Sequence, residues 1–465
     1  MKWYKVKKLF FISSLLLLIL SSILLIPVFS SVFTYYPLVV SLQPVPPPIV
    51  LQDPSVPGVS VSLGSEWASA SITVLLPYSL VISQDAIYYT TFDSGLPTNW
   101  VDPALACWTG SATAWVGGSI TCSAGLAYQV AYYNTPIVSN TLTFYVGAYV
   151  MSNDLRAGRY VGITLYDRVT GNYYIAAIGN SNRLNILECI AGLCFLRAST
   201  GNLGLSTNTW YFLVAYWTPN TLYAYLYRTD TGALIGSTSY RDGSPIGFNT
   251  VGVVAYRARG WVDELVVAYN DPRNVYVDNV PSGWVVRLYN GTVLLGSATS
   301  SGTRISFTVF YPQDGQHSTI LRSGRIEVYD SYGSLRASRS DVIVTGRVYI
   351  LQPQGFDNRV LNVVNVDSKP YYGLLSLRSP PSYSGFSTLQ LYLCNPSTCS
   401  TALDIIAGSS STSEIALPAS QISYIRLVAV FSSGASASIQ IWLSFSTRPG
   451  QDGVVVSYPV DIVLR

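Results

Sequence analysis

Beyond residue 30, no stretch of this 465-residue chain repeats its apolar side chains every 3.6 positions. A helix needs that repeat to bury one face, so long amphipathic helices are excluded from all but the first thirty residues. Short runs rich in Val, Ile, Tyr and Thr recur instead, set between clusters of Gly, Pro, Asn, Asp and Ser. Residues 142–150 and 160–166 are examples, and the second is closed by the turn sequence Asp167-Arg-Val-Thr-Gly-Asn172. The expected fold class is all-β.

The first thirty residues are of another kind. Lys2, Lys5, Lys7 and Lys8 precede a nearly unbroken apolar run from Leu9 to Phe29, and Val28-Phe29-Ser30 suits cleavage. This reads as a signal peptide or an uncleaved signal-anchor helix, with the rest of the chain delivered outside and membrane contact confined to this segment. Residues 31–58 hold Pro37, Pro44, Pro46, Pro47, Pro48, Pro54 and Pro57. Proline fixes φ and removes a donor, so this stretch reads as an extended linker. The alternative is that residues 38–42 or 49–51 pair with another subunit's sheet edge.

Three β units are expected after the linker. Residues 59–270 form the first. Over 271–345, the runs around 280–295 are joined by Asn290-Gly291, a hairpin signal, and predict a small immunoglobulin- or fibronectin-like sandwich. Over 346–465, the runs at 360–366, 389–393, 424–431, 437–443 and 458–464 predict a second small sandwich.

The first unit carries a distinctive order of pieces. Tyr88-Tyr-Thr-Thr-Phe-Asp-Ser-Gly-Leu-Pro-Thr-Asn-Trp100 opens it. Trp210-Tyr-Phe-Leu-Val-Ala-Tyr-Trp217 and Leu222-Tyr-Ala-Tyr-Leu-Tyr-Arg228 follow. Residues 248–256 and Trp261-Val-Asp-Glu-Leu-Val-Val-Ala-Tyr269 close it. This order resembles the concanavalin A-like, laminin-G-like jelly roll. The resemblance implies a two-sheet jelly roll over residues 59–270, leading strands included. It does not fix a function, because that fold hosts lectins, adhesion modules, structural domains and glycanases alike. The low-Lys, Tyr- and Ser-rich style also resembles cell-surface proteins of heat-loving archaea.

Removing the four Lys of the first thirty residues from the 27 Lys and Arg leaves 23, against 24 Asp and Glu. Such a chain has no basic footprint for nucleic acid. Its six cysteines fall into three near neighbours, Cys107 and Cys122, Cys189 and Cys194, Cys394 and Cys399. An even count in an exported chain implies disulfides, and local pairing is the expectation. A metal site would need histidine nearby, and the single His317 is remote from all six.

Catalytic residue types are scarce. One histidine excludes most Ser-His-Asp and Cys-His schemes. A glycanase needs two carboxylates facing one cleft. Between residues 86 and 269 the Glu residues are Glu188 and Glu264, and Asp263-Glu264, being adjacent, should point to opposite faces of a strand. Some relatives of the fold hold calcium near such acids, which makes Asp263 a calcium candidate without a surrounding oxygen cluster.

Aromatics remain. Six of the ten Trp lie between Trp100 and Trp261. Flat rings cover the C–H faces of sugars while Arg and Asn bind their hydroxyls. Candidate ligand contacts are Trp108, Trp115, Tyr132, Tyr133, Arg156, Arg159, Tyr173 and Tyr174; Asn290 is the one glycosylation sequon. No catalytic residue is assigned. The leading expectation is an exported, non-enzymatic adhesion protein recognising a glycan or cell-surface polymer. The alternatives are a structural subunit that self-associates by strand pairing, or a secreted glycoside hydrolase.

Overall fold

A computed structural model describes residues 48–65, 68–110, 119–308, 324–342, 346–450 and 454–465. The targeting segment, most of the Pro-rich stretch, Trp115 and His317 lie outside the described residues. The protein is all-β, and no helix among the described residues is long and apolar enough to cross a membrane.

The jelly roll consists of two facing antiparallel sheets. One has eight strands, in the order Leu234–Arg241, Thr221–Arg228, Tyr211–Thr218, Phe144–Ser152, Gly260–Ala268, Ser119–Cys122 and Cys107–Gly110, with Tyr88–Thr90 also paired to Gly260–Ala268. The other has seven, in the order Leu193–Ser199, Arg183–Ile190, Tyr173–Gly179, Tyr160–Tyr166, Thr250–Tyr256, Gln129–Tyr133 and Trp100–Val101. Alternation decides which side chains meet between them. Val161, Ile163 and Leu165 face inward beside Ile178, Ile186 and Val253, against Val146, Leu213, Trp217 and Leu226 of the other sheet. Each such buried side chain contributes about 1.5–3 kcal/mol. The 167–172 turn forms as the sequence predicts: Asp167 Oδ1 accepts from Val169 N at 2.9 Å, and Gly171 takes a left-handed φ of 72°.

The strands before residue 85 depart from the expectation. Ile49–Gln52 pairs with Phe356–Asn365, and Val59–Leu63 pairs with Ala70–Val74. Ala70–Val74 runs parallel to Val454–Leu464, and Tyr78–Gln84 pairs with Val348–Pro353. They therefore belong to the sandwiches after the jelly roll and do not lead into it. Ile49 and Leu51 are fully buried, so the end of the Pro-rich stretch is part of a core. Apart from the local pairing of Val59–Leu63 with Ala70–Val74, these pairings are invisible to local pattern, because the partners lie hundreds of residues apart.

The jelly roll is thus an insertion between Tyr78–Gln84 and Asn274–Asp278. Its two ends adjoin. Ile87 N donates to Val267 O at 2.7 Å, Asn270 Nδ2 donates to Gln84 Oε1 at 2.7 Å, and Arg347 pairs with Asp85. The middle unit is a pair of four-stranded sheets, one containing Tyr78–Gln84 and Val348–Pro353 and the other the Asn290-Gly291 hairpin. In the last unit the runs at 424–431 and 437–443 merge into one strand, Ile422–Ser446. Gly434 takes a φ of 78° within it, so the first half pairs with Phe356–Asn365 and the second with Val454–Leu464.

Candidate functional site

The two jelly-roll sheets use their outer faces differently. Tyr149, Phe212, Val214 and Tyr227, on the outer face of the eight-stranded sheet, join the core that runs through the other units. The outer face of the seven-stranded sheet carries a separate apolar cluster, drawn from that sheet alone: Val130, Tyr160, Tyr173, Ile175, Ala177, Leu187, Cys189 and Val254, with Tyr128, Tyr132, Tyr166 and Tyr256 packed on it.

Strand register arranges these residues in rows. Thr164 stands between Gly252 and Ile175, and Gly162 between Val254 and Ala177. A Cβ on Gly162 would meet Ala176 O at 2.0 Å, and one on Gly252 would meet Ala131 O at 2.5 Å. Positions 162 and 252 must therefore stay glycine. Tyrosines rise at both ends of this face. At one end Tyr132 stacks on Tyr166 with centroids 4.2 Å apart, and Tyr166 on Tyr173 at 5.5 Å. At the other, Tyr128 stacks on Tyr256 at 4.1 Å, beside Tyr160 at 6.4 Å, with the Arg257 guanidinium 5.1 Å over the Tyr256 ring. Tyr160 and Tyr166 are six residues apart on one strand, so the two groups stand about 20 Å apart. The result is a closely packed apolar face, with Ile175, Ala177 and Thr164 buried at its middle, between two aromatic stacks.

Burial pushes the phenols of Tyr128, Tyr160 and Tyr166 above their ordinary value, and that of Tyr173 to about 12. They remain neutral hydrogen-bonding groups at any physiological pH. The Cys189–Cys194 disulfide joins the two strands next to Tyr173, whose hydroxyl lies 3.8 Å from Cys194 Sγ. Cys107–Cys122 and Cys394–Cys399 are likewise local pairs.

The residues predicted from sequence divide. Tyr132 and Tyr173 lie on this face. Tyr133 and Tyr174 are their strand neighbours and point the other way, into the space between the sheets. Tyr174 is fully buried and donates to Asp242 Oδ2 at 2.5 Å while accepting from Ile246 N at 3.0 Å, so a ligand cannot reach it. Arg156 and Arg159 converge on Asp154, at 2.6 and 2.5 Å, in the loop before Tyr160. The hydrogen bonds from Arg156 hold the Asp154 carboxyl well below the usual range. Trp108 is on the end strand of the other sheet, half exposed, with the Arg259 guanidinium 5.7 Å from its ring. Tyr128, Tyr160, Tyr166 and Tyr256 were not predicted, although the even spacing of Tyr160 and Tyr166 marks them as sharing a face.

The sequence expectation for Asp263-Glu264 fails. Glu264 sits in a β-bulge with φ 51°, where the register against Phe144–Ser152 slips. The extra residue breaks the alternation. Asp263 lies opposite Tyr149, and Glu264 reaches the hydroxyl of Tyr89, which shares that face. Both carboxylates are fully buried on the side facing the other units, and Asp263 Oδ1 accepts Glu264 N at 2.7 Å. No group of three or more Asp, Glu, His or Cys able to hold a metal is found among the described residues. Asn290 lies at its hairpin turn as expected, next to exposed Gly291.

A second acidic pair escaped the sequence reading. Glu188 and Asp242, both buried, lie near each other at the rim between the sheets, where Arg197 Nη2 meets Glu188 Oε2 at 2.7 Å. Burial raises the Glu188 carboxyl despite Arg197. For Asp242, burial pushes upward too, but the hydrogen bonds from Tyr174 and Ser244 outweigh it and the carboxyl ends below its ordinary value.

No family model matches the chain, and no curated protein matches it. Solved structures overlap the chain in part. Carbohydrate binding module CBM66 from Bacillus subtilis is 12% identical, with 40% of this chain and 99% of that one covered, at a TM-score of 0.29. Lectin II from Ulex europaeus is 8% identical, with 40% and 99% covered, at 0.28. A GH43 protein, BlXynB from Bacillus licheniformis, is 14% identical, with 40% of each chain covered, at 0.30.

Proposed function

We propose that this protein is an exported binding protein that recognises a glycan chain, and through it a cell surface or matrix, on the tyrosine-walled face of its jelly roll. The observation that carries this reading is the pair of tyrosine stacks at the two ends of one apolar sheet face, whose cluster is drawn, among the described residues, from that sheet alone. Rings offer flat apolar surface to sugar C–H groups, and neutral phenols offer hydrogen bonds. A face about 20 Å long suits several linked sugars rather than one. Three disulfides fit an oxidising, extracellular setting. The acids Asp263 and Glu264 are sealed under the other units, which disfavours a hydrolytic role for them.

The test is a glycan array probed with the mature chain and with Tyr132→Ala and Tyr256→Ala variants. We expect binding to one class of oligosaccharide and a drop of about fivefold in each variant, since stacking contacts of this kind contribute about 1 kcal/mol. Array binding that both variants retain in full would refute the reading.

A second reading is self-association by strand pairing. Leu193–Ser199 ends its sheet, and Leu193, Phe195 and Leu196 on it are 66%, 47% and 47% exposed. A sheet edge with apolar side chains and a single Arg invites another strand. Sedimentation of the mature chain tests it: a concentration-dependent dimer or filament abolished by Phe195→Lys would support this reading, and a monomer at all concentrations would exclude it.

A further inference from the structure

We propose that the cavity between the 203–211 loop and the 228–235 hairpin is a second binding site, for a single neutral, hydroxyl-rich ring such as a hexose. The cavity is about 250 Å³ and shares no residue with the tyrosine face. That volume lies below the roughly 300–1,000 Å³ of sites that enclose drug-sized ligands, which limits the occupant to one ring.

The walls are fixed by hydrogen bonds made without any ligand. Thr229 Oγ1 donates to Trp210 O at 3.0 Å, tying the hairpin to the loop. Arg228 N donates to Ala233 O at 2.9 Å, and Gly232 N to Arg228 O at 3.0 Å, closing the hairpin. Ser206 N donates to the Tyr211 hydroxyl at 2.8 Å, and Asn202 Oδ1 caps Gly204 N at 2.8 Å. The Leu203 side chain fills the space where Gly236 lacks a Cβ, 2.7 Å from the position that atom would take. A preformed site of this sort does not have to order its loops when it binds.

The lining sets the chemistry of the occupant. Leu203, Leu205, Trp210, Tyr211 and Ile235 give an apolar side, and Ser206, Thr209, Arg228 and Asp230 a polar one. The two charges cancel: Arg228 Nε meets Asp230 Oδ1 at 2.8 Å and Nη2 meets Oδ2 at 2.5 Å. An anion would have to displace Asp230 from Arg228, and a cation the reverse. A neutral polyol displaces neither, because a guanidinium has five N–H donors and a carboxylate about four acceptor positions, and the pair uses two of each. Alternating apolar and hydroxyl faces are what a sugar ring presents.

The test is saturation-transfer NMR on the mature full-length chain with D-glucose, D-galactose, D-mannose and N-acetyl-D-glucosamine, each added alone. We expect millimolar binding of at least one, weakened tenfold or more by Asp230→Ala and by the cavity-filling Thr209→Trp, and unchanged by Tyr256→Ala. Asp230 is more than half exposed, so its removal leaves the fold intact. The idea is overturned if none of the four sugars binds, if both cavity variants bind as before, or if Tyr256→Ala removes the signal. Array binding of oligosaccharides that survives Asp230→Ala while hexose binding is lost separates this site from the tyrosine face.

Discussion

The outer faces of the two jelly-roll sheets are built from the same residue type and meet different fates. The eight-stranded sheet presents Tyr145, Tyr149, Tyr216, Tyr223, Tyr225 and Tyr227, with Tyr145 and Tyr216 stacked at 4.2 Å. The seven-stranded sheet presents Tyr128, Tyr132, Tyr160, Tyr166, Tyr173 and Tyr256. On the first, Tyr149 is fully buried and Tyr227 lies under the Arg273 guanidinium, 3.9 Å from its ring, because other units of the chain pack there. On the second, the tyrosines pack on their own sheet. A strand rich in tyrosine thus says that a face is amphipathic, not what it meets. Which face is spoken for is decided by strands far away in sequence.

The comparison can be broken most sharply at its covered side. Tyr149→Ala removes a buried ring at the junction, and we expect a loss of about 3–5 kcal/mol in chemical denaturation, the range for aromatic truncation in cores. The equivalent change on the other face, Tyr256→Ala, should cost only about 1 kcal/mol, since what it loses is mainly stacking on Tyr128. Equal losses would mean that both faces are core and that the binding face is wrongly placed.

The smallest effect concerns the rim between the sheets. Glu188 is raised, so the stability it contributes is complete below the ordinary glutamate pKa and fades as pH rises through its folded value. Asp242 is lowered, so its contribution holds above the ordinary aspartate pKa and is lost as pH falls through its folded value. Stability should therefore sag on both sides of mildly acidic pH. Thermal unfolding of Glu188→Gln across that range should lack the alkaline decline, and an unchanged profile would show that the Glu188 carboxyl is not raised.

Much of this fold was legible residue by residue. The absence of a helical repeat, the 167–172 turn, the Asn290-Gly291 hairpin and the three cysteine pairs all depend on neighbours within about twenty positions. The extent of the units did not, because Tyr78–Gln84 finds its partner at Val348–Pro353 and Ala70–Val74 finds its own at the C-terminal strand. The site was half legible for a simpler reason. Tyr132 and Tyr133, like Tyr173 and Tyr174, are equal candidates by residue type, and alternation splits each pair between two faces. The Glu264 bulge is the converse: strict alternation was applied where one additional residue cancels it.

The way the jelly roll is inserted has a mechanical consequence. A pull applied between residues 48 and 465 loads Ile49–Gln52 against Phe356–Asn365 and, further along the chain, Ala70–Val74 against the last strand. Ala70–Val74 lies parallel to Val454–Leu464, so opposed pulling loads their evenly spaced hydrogen bonds in shear, all together rather than one by one. The jelly roll, joined at two adjacent points, sits off that line of force. Tension between those two points would leave the tyrosine face undistorted.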